Sequence, residues 1–371
     1  MIIKLKNYDG IYRVAVVSCS EKVTNRFLKN NMNVIQIKGH SVTFYPKGIC
    51  FDIDYRDVDR LTRISEYDVF EIYANGAAYQ YYNNSSLDNT ILVTNRCNSN
   101  CIMCPTPEII RKTQQQYSAE QLINIVKYFP NDACHITITG GEPFLIKKDM
   151  FKLLEFLKYN LNSTDYLLLT NGRAFCSKEY TDLFAFSKPD KIKLGIPIHG
   201  YNEKTHDYIT QAKGSFIQTI RGIKNLIQIH SKIEIRIVVS KLNYLFIDKI
   251  AELIVHELKG INCVKIMAME MTGNAAKNRD QVWIDYPDAF KACENAIELL
   301  ALNGIDVGLY NFPLCAVDKR FWDICEKSIS EHKIRFAPQC TDCMVKDACG
   351  GVFSGTIRLA KEKIKPVGDM R

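Results

Sequence analysis

The chain has 371 residues, 47% of them hydrophobic and 24% charged, with a net charge of +7. That composition suits a globular protein large enough for one α/β domain with smaller extensions. The charge is modest and the lysines are scattered, so no nucleic-acid face is read, and no run of about eighteen apolar residues offers a membrane span.

Fourteen cysteines exceed what packing needs. Three fall at 97–104 and three at 340–349, and such clustering reads as metal binding in a reducing cytosol. Met1-Ile2-Ile3-Lys4-Leu5-Lys6 has no long apolar core, so no signal peptide is read and a cytoplasmic location is expected.

Residues 1–88 read as a small β-rich unit. Strands are expected at Tyr12–Val17, Asn33–Ile37, Ser41–Tyr45, Cys50–Ile53 and Val69–Tyr73, with a helix at Glu21–Lys29. The polar run from Tyr82 to Asn89 reads as a linker. Such a unit could hold a peptide by strand addition at a sheet edge, or pack over one end of the next domain.

Residues 89–304 alternate apolar strands with amphipathic helices. The strands are expected at Thr90–Val93, His135–Thr139, Tyr166–Thr170, Lys191–Ile196, Ile233–Val239 and Cys263–Met269. The helices are expected at Ser118–Phe129, Lys148–Tyr159, Ser177–Phe186, Phe216–Ile229, Ile247–Leu258 and Pro287–Leu302, with Ser118 and Gln121 forming a capping box. Six β/α repeats imply a parallel sheet with right-handed crossovers. Periodicity leaves an open sheet and a partial barrel equally allowed. Residues 305–371 follow as a third unit, with a helix expected over Asp318–Ile329.

The first strand runs into Cys97-Asn98-Ser99-Asn100-Cys101-Ile102-Met103-Cys104. Three thiolates spaced C-x₃-C-x₂-C on one loop can bind three corners of a [4Fe–4S] cubane, and with no fourth cysteine nearby one iron keeps an open position. A structural zinc site takes four ligands in a different spacing, and a disulfide needs an oxidising compartment, so both fit poorly. The second strand ends Thr139-Gly140-Gly141-Glu142-Pro143, where paired glycines let backbone approach a ligand closely. The third ends Thr170-Asn171-Gly172-Arg173, which also reads as an ordinary Asn-Gly turn. Met267, Met269 and Met271 alternate as one packed face of a strand would. His135, His199 and His206 lie near strand ends or in loops without an evident partner, and no role is assigned to them.

In the last unit Cys340, Cys343 and Cys349 form a compact C-x₂-C-x₅-C loop. With Cys315 they supply four thiolates, enough for a second [4Fe–4S] cluster or for a structural zinc. Cys325 is a rival fourth ligand, set aside because it falls in the expected helix. Cys19, Cys50, Cys134, Cys176, Cys263 and Cys293 read as buried small apolar residues.

The C-x₃-C-x₂-C spacing, followed one repeat later by Gly140-Gly141-Glu142-Pro143, resembles the radical S-adenosylmethionine (SAM) superfamily. The resemblance implies a six-stranded partial (β/α)₆ barrel of the TIM type, with its site at the carboxyl ends of the strands. It implies SAM chelated at the open iron and cleaved reductively to a 5′-deoxyadenosyl radical, chemistry that belongs to the cofactors. It places Gly140, Gly141, Glu142 and Pro143 at the methionyl end of SAM, with Glu142 as an anchor, and Asn171, Ile196, Arg236 and Met269 among the remaining contacts. Met103 stands where relatives often carry an aromatic against the adenine.

The cysteines after the barrel resemble the SPASM and twitch extensions, which favours an auxiliary cluster over zinc. The runs Thr94–Pro105, Thr170–Phe175, Tyr310–Cys315 and Cys349–Phe353 are similar to the smaller radical SAM maturase of the His-Xaa-Ser peptide-modification system. That implies a ribosomally made precursor peptide as substrate, a second maturase as companion, and a reductant such as flavodoxin or ferredoxin. A radical SAM enzyme acting on a small metabolite or RNA, or an electron-transfer or regulatory iron–sulfur protein, stands as the alternative.

Overall fold

The computed structural model describes residues 1–368, so the last three residues of the expected 305–371 unit lie outside it. The amino-terminal unit is a seven-stranded sheet. Its strands are β1 (Ile2–Lys4), β2 (Arg13–Val17), β3 (Val34–Lys38), β4 (Ser41–Tyr45), β5 (Ile49–Asp52), β6 (Val69–Ile72) and β7 (Ala77–Tyr82), in the spatial order β1-β7-β6-β2-β3-β4-β5. All neighbours are antiparallel except β2 and β3. β1 and β7 had no counterpart in the sequence reading, and Tyr82 ends a strand rather than opening a linker. The helix Glu21–Lys29 forms as expected, with the Ser20 side chain accepting from the amide of Val23.

The sheet curls until its two edges meet. Leu5 bridges Ile53, the amide of Lys6 donates to Asp52 at 2.8 Å, and the amide of Asp54 donates to Lys4 at 2.8 Å. Strand addition is therefore left only to stretches outside that seam. One face closes over Ile3, Val17, Ile35, Phe44, Phe70 and Ile72. The other face, with Val14, Val16, Val34, Val69 and Tyr82, merges into the core of the main domain. There the Tyr82 and Phe129 rings lie 4.7 Å apart, and the Tyr128 hydroxyl accepts from the amide of Asn33 at 3.1 Å. Burying each such aliphatic side chain contributes about 1.5–3 kcal/mol. The unit thus packs as an extension over one end of its neighbour.

The main sheet has eight parallel strands where six were expected. β8 (Asn89–Leu92), β9 (His135–Thr139), β10 (Asp165–Leu169), β11 (Ile192–Pro197), β12 (Lys232–Val238) and β13 (Cys263–Met267) match the sequence reading within one or two residues. β14 (Asp306–Tyr310) and β15 (Cys325–Glu326) extend the sheet beyond Gly304. Strand order follows chain order throughout, and β8 and β15 are the free edges of an unclosed sheet. Single-direction winding puts all the helices on one face. Accordingly Ile136, Ile138, Leu168, Ile235 and Ile266 are fully buried on that face, while Thr137, Leu167, Lys193, Arg236, Lys265 and Tyr310 stay half-buried along the other.

Ser118 and Gln121 form the expected reciprocal cap on the helix Ala119–Val126. The expected helix Pro287–Leu302 is two, Tyr286–Lys291 and Glu294–Leu302, parted at Ala292 and Cys293. The expected helix over 318–329 is instead a short 3₁₀ turn, Lys319–Ile324, leading into β15. There the Trp322 indole donates to the carbonyls of Leu314 and Val317 and folds the segment back on itself. An unexpected helix, Glu203–Thr210, follows β11. Last, β16 (Ile334–Arg335) and β17 (Val352–Phe353) pair antiparallel and bracket the second cysteine loop.

All fourteen thiols are unbridged. Cys263 and Cys293 are buried as expected, but Cys19, Cys50 and Cys134 are exposed and Cys176 is half-buried. Cys50 sits on the outward row of β5, whose inward neighbour Phe51 is buried, and Cys134 lies in the loop before β9. No helix among the described residues is long and apolar enough to cross a membrane.

Candidate active site

The loop bearing Cys97, Cys101 and Cys104 leaves the carboxyl end of β8 and is fastened from several sides. The end of β9 lies directly against it. The amide of Gly141 donates to Thr94 at 2.7 Å and the amide of Glu142 donates to Arg96 at 2.8 Å. A Cβ on Gly140 would stand 2.4 Å from the Thr94 carbonyl oxygen, and one on Gly141 would stand 2.1 Å from that of Arg96. The close approach that these glycines permit is thus to the cluster loop's own backbone.

Glu142 is 1% exposed. Its carboxylate accepts from the amide of Phe144 at 3.1 Å, the Thr170 hydroxyl at 2.8 Å and the amide of Asn171 at 2.7 Å. Burial pushes its pKa up against the pull of those donors. It caps the turn Pro143–Ile146 and ties the end of β9 to the end of β10. Asn171 in turn donates from Nδ2 to Asn98 Oδ1 at 2.7 Å. Arg173 completes this side, with Nε on Gln218 at 2.7 Å and Nη1 on the Asn98 carbonyl at 2.8 Å and Ser99 Oγ at 3.2 Å.

The opposite side of the loop is held by residues far along the chain. The amides of Asn100 and Ile102 donate to Thr210 and Ile209 at the end of the helix Glu203–Thr210. Asn274 Nδ2 donates to Asn100 Oδ1 at 3.1 Å and to the Cys101 carbonyl at 2.9 Å. Asn278 Nδ2 donates to the Ile102 carbonyl at 2.9 Å. Arg111 places Nη1 on Asn100 Oδ1 at 2.6 Å and Nη2 on Asn274 Oδ1 at 2.8 Å, while its Nε is buried with no partner among the described residues. Arg111, Arg173, Asn274 and Asn278 were not singled out in the sequence. Only Arg173, adjoining Asn171-Gly172, carried a local signal.

Of the expected SAM contacts, Gly140, Gly141, Glu142, Pro143 and Asn171 come together around the cluster loop. Met103 and Met269, each 4% exposed, join one apolar cluster with Ile102, Ile209, Met271 and Val282. Ile196 is fully buried, its Cγ2 lying 2.9 Å from where a Cβ on Gly172 would project. Arg236 sits on the half-buried face of β12, with Nε on Glu234 Oε1 at 2.7 Å and its guanidinium 5.9 Å from the Tyr310 ring centroid. His199 and His206 stack at 5.8 Å, and His206 Nδ1 accepts from the amide of His199.

Burial pushes Cys97 up to about 11 and Cys101 to about 12, and the neighbouring thiols add to the rise while Arg111 opposes it. Thiols that resist ionisation alone are driven to ionise by metal, which must take the thiolate. Three unbridged thiols on one tightly fastened loop, under the charge of Arg111, are by their chemistry the donor set that three corners of a [4Fe–4S] cluster take.

Cys315, Cys340, Cys343 and Cys349 line one pocket behind the β16–β17 hairpin. Backbone amides already point at their sulfurs. Leu314 and Gly351 donate to Cys349 Sγ and Val367 to Cys343 Sγ, each at 3.4 Å. Such N–H···S bonds favour thiolate, so this donor set also fits a cluster. Cys325 lies on β15 outside the pocket lining, with its sulfur on the Phe321 carbonyl at 3.5 Å.

Residues 91–254 match the family model described as the radical SAM superfamily. Among curated proteins, a GTP 3′,8-cyclase of Petrotoga mobilis is 30% identical over 142 residues, covering 38% of this chain and 42% of that protein. The antilisterial bacteriocin subtilosin biosynthesis protein AlbA of Bacillus subtilis is 32% identical over 143 residues, covering 37% of this chain and 30% of AlbA. Both matches span less than half the length of the relative. Among solved structures, Streptococcus suis SuiB bound to its precursor peptide SuiA is 17% identical, with a TM-score of 0.49, over 60% of this chain and 48% of SuiB.

Proposed function

We propose, from the match of residues 91–254 to the radical SAM superfamily model, that the chain is a peptide-modifying enzyme that abstracts hydrogen from a ribosomally made precursor. The observation that carries the reading is the pairing of two thiol sets in one chain, three on a loop at the mouth of an unclosed sheet and four in a pocket beyond it. When bound, a [4Fe–4S] cluster on Cys97, Cys101 and Cys104 together with SAM supplies one-electron cleavage of the sulfonium and a 5′-deoxyadenosyl radical. The protein's part is positional. Glu142, Asn171 and Arg173 lock the cluster loop to the ends of β9 and β10. Met103 and Met269 offer an apolar seat for an adenine, and thioethers pack well on rings. We place the substrate along the half-buried face running from Leu167 past Arg236 to Tyr310.

The likeness to AlbA, a bacteriocin biosynthesis protein, supports a peptide substrate, and the runs Tyr310–Cys315 and Cys349–Phe353 support one of the His-Xaa-Ser type with a second maturase as companion. The likeness to GTP 3′,8-cyclases favours a nucleotide instead. Anaerobically reconstituted protein incubated with SAM, dithionite and a deuterated His-Xaa-Ser peptide is expected to yield 5′-deoxyadenosine carrying the label, and Cys101→Ala to abolish it. Label arriving from deuterated GTP, and not from the peptide, would establish the second reading.

A further inference from the structure

The face of the amino-terminal sheet that packs on the main domain holds Val14 and Val69 in the shared core, and it continues past that contact. Glu71 lies directly across from Val14 on β2 and from Tyr79 on β7, so all three share this face. Tyr12 and Tyr73, two residues along from Val14 and Glu71, fall on it as well. Tyr12 is 44% and Tyr79 41% exposed, whereas Glu71 between them is 3% exposed. The rings of Tyr12 and Tyr79 each meet that of Tyr73 edge-on, at 6.0 Å and 5.3 Å.

Glu71 Oε1 accepts from the Tyr12 hydroxyl at 2.9 Å and Oε2 from the Tyr73 hydroxyl at 3.0 Å. With the Tyr73 proton engaged there, Tyr117, 3.3 Å away, is the donor to Tyr73, and Gln115 Nε2 donates to Tyr117 at 2.8 Å. Every donor in the chain points toward the carboxylate. Its far end is fixed to the run between β8 and the cluster loop, where the amide of Tyr117 donates to Val93 and the amide of Asn95 to Gln115.

Two hydroxyls need only an acceptor, which an uncharged amide oxygen would supply. A carboxylate offers about four acceptor positions and carries a charge that burial makes costly unless a cation answers it. Among the described residues none does. Burial and the two hydroxyls are what act on Glu71, and Lys4, on the same face of β1, has its ammonium on the carbonyl of Asn75. We propose that Tyr12, Tyr73 and Tyr79 with Glu71 form a notch that takes an arginine or lysine side chain of the peptide substrate, the charge meeting the carboxylate and the side chain lying against the rings. Tyr117 seats the notch at the end of β8, on the open side of the main sheet. The proposal rests on the substrate being a peptide.

The test uses the full chain, without SAM, and three capped His-Xaa-Ser peptides extended by a Gly-Ser segment that bears one arginine, lysine or citrulline. Binding is followed by the fluorescence anisotropy of an uncharged dye on each peptide. The arginine and lysine peptides are expected to bind about tenfold or more tighter than the citrulline peptide. That preference is expected to vanish in Glu71→Gln, which keeps an acceptor for both hydroxyls, and to shrink in Tyr79→Ala, with a thermal melt to check each fold. Equal binding of the three peptides by the unaltered protein overturns the proposal whatever the variants do, and so does a preference undiminished in either folded variant. The two readings fail separately. Deuterium transfer from a peptide with no preference for the cation removes the notch alone, and a preference with label arriving only from GTP removes the peptide substrate alone.

Discussion

Arg111 divides its guanidinium between two tasks. Both terminal nitrogens are committed to Asn100 and Asn274, Nε is buried without a partner among the described residues, and the guanidinium charge holds down the thiols of Cys97 and Cys101. A buried N–H on a charged group is costly to leave unmade, and a donor with a positive charge next to a cluster favours its reduced form. Arg111→Leu is therefore expected to move the midpoint potential of the three-cysteine cluster to more negative values than Arg111→Lys, read by redox titration with electron paramagnetic resonance. Equal potentials in the two variants would remove the role. The three cysteines were legible because one loop carries them within eight residues. Arg111 and Asn274 were not, since 163 residues separate them and only the fold brings them together.

The strand ends act as fasteners. Gly141 is needed because its α-carbon faces the Arg96 carbonyl, and backbone cannot yield as a flexible side chain would. Gly141→Ala is expected to cost about 1–3 kcal/mol or more and to lower iron content at the three-cysteine site, measured by chelator assay beside a thermal melt. Retained iron with an unchanged melt would count against that geometry. Strands β8 to β13 were legible because each is an apolar run bounded by a helix with its own period. β14 was missed because Asp306-Val307-Gly308-Leu309-Tyr310 holds only two aliphatic residues, astride a glycine that leaves room for Lys265 and Glu326. β15 was hidden because Cys325–Glu326 is only two residues long and borrows its order from Tyr310 and Leu309.

At the scale of the molecule, buried His199 and His206 couple stability to acid. Burial lowers both from the ordinary 6.5, His206 to about 4 and His199 to about 3. The unfolded chain takes up protons as pH drops below 6.5, whereas the folded chain stays neutral at these rings until near pH 4. Stability is therefore complete above the unfolded value and declines as pH falls toward the folded one. Each ring is expected to contribute a loss of about 1.5 kcal/mol between about pH 6.5 and pH 5. His206→Gln, whose amide oxygen can still accept from the amide of His199, is expected to shallow the acid slope of the thermal midpoint. An identical slope in the variant would exclude the pair as its source. Sequence alone placed both histidines at strand or loop ends and could assign neither a state, because burial is a property of the assembled chain.

The gap between β8 and β15 bears on what can be handled. A stave-complete ring would have to be entered from its rim, by a tip or a tight bend. On the proposed peptide substrate, a sheet left open between β8 and β15 would let an extended segment lie in sideways along its length rather than enter by a tip or a tight bend.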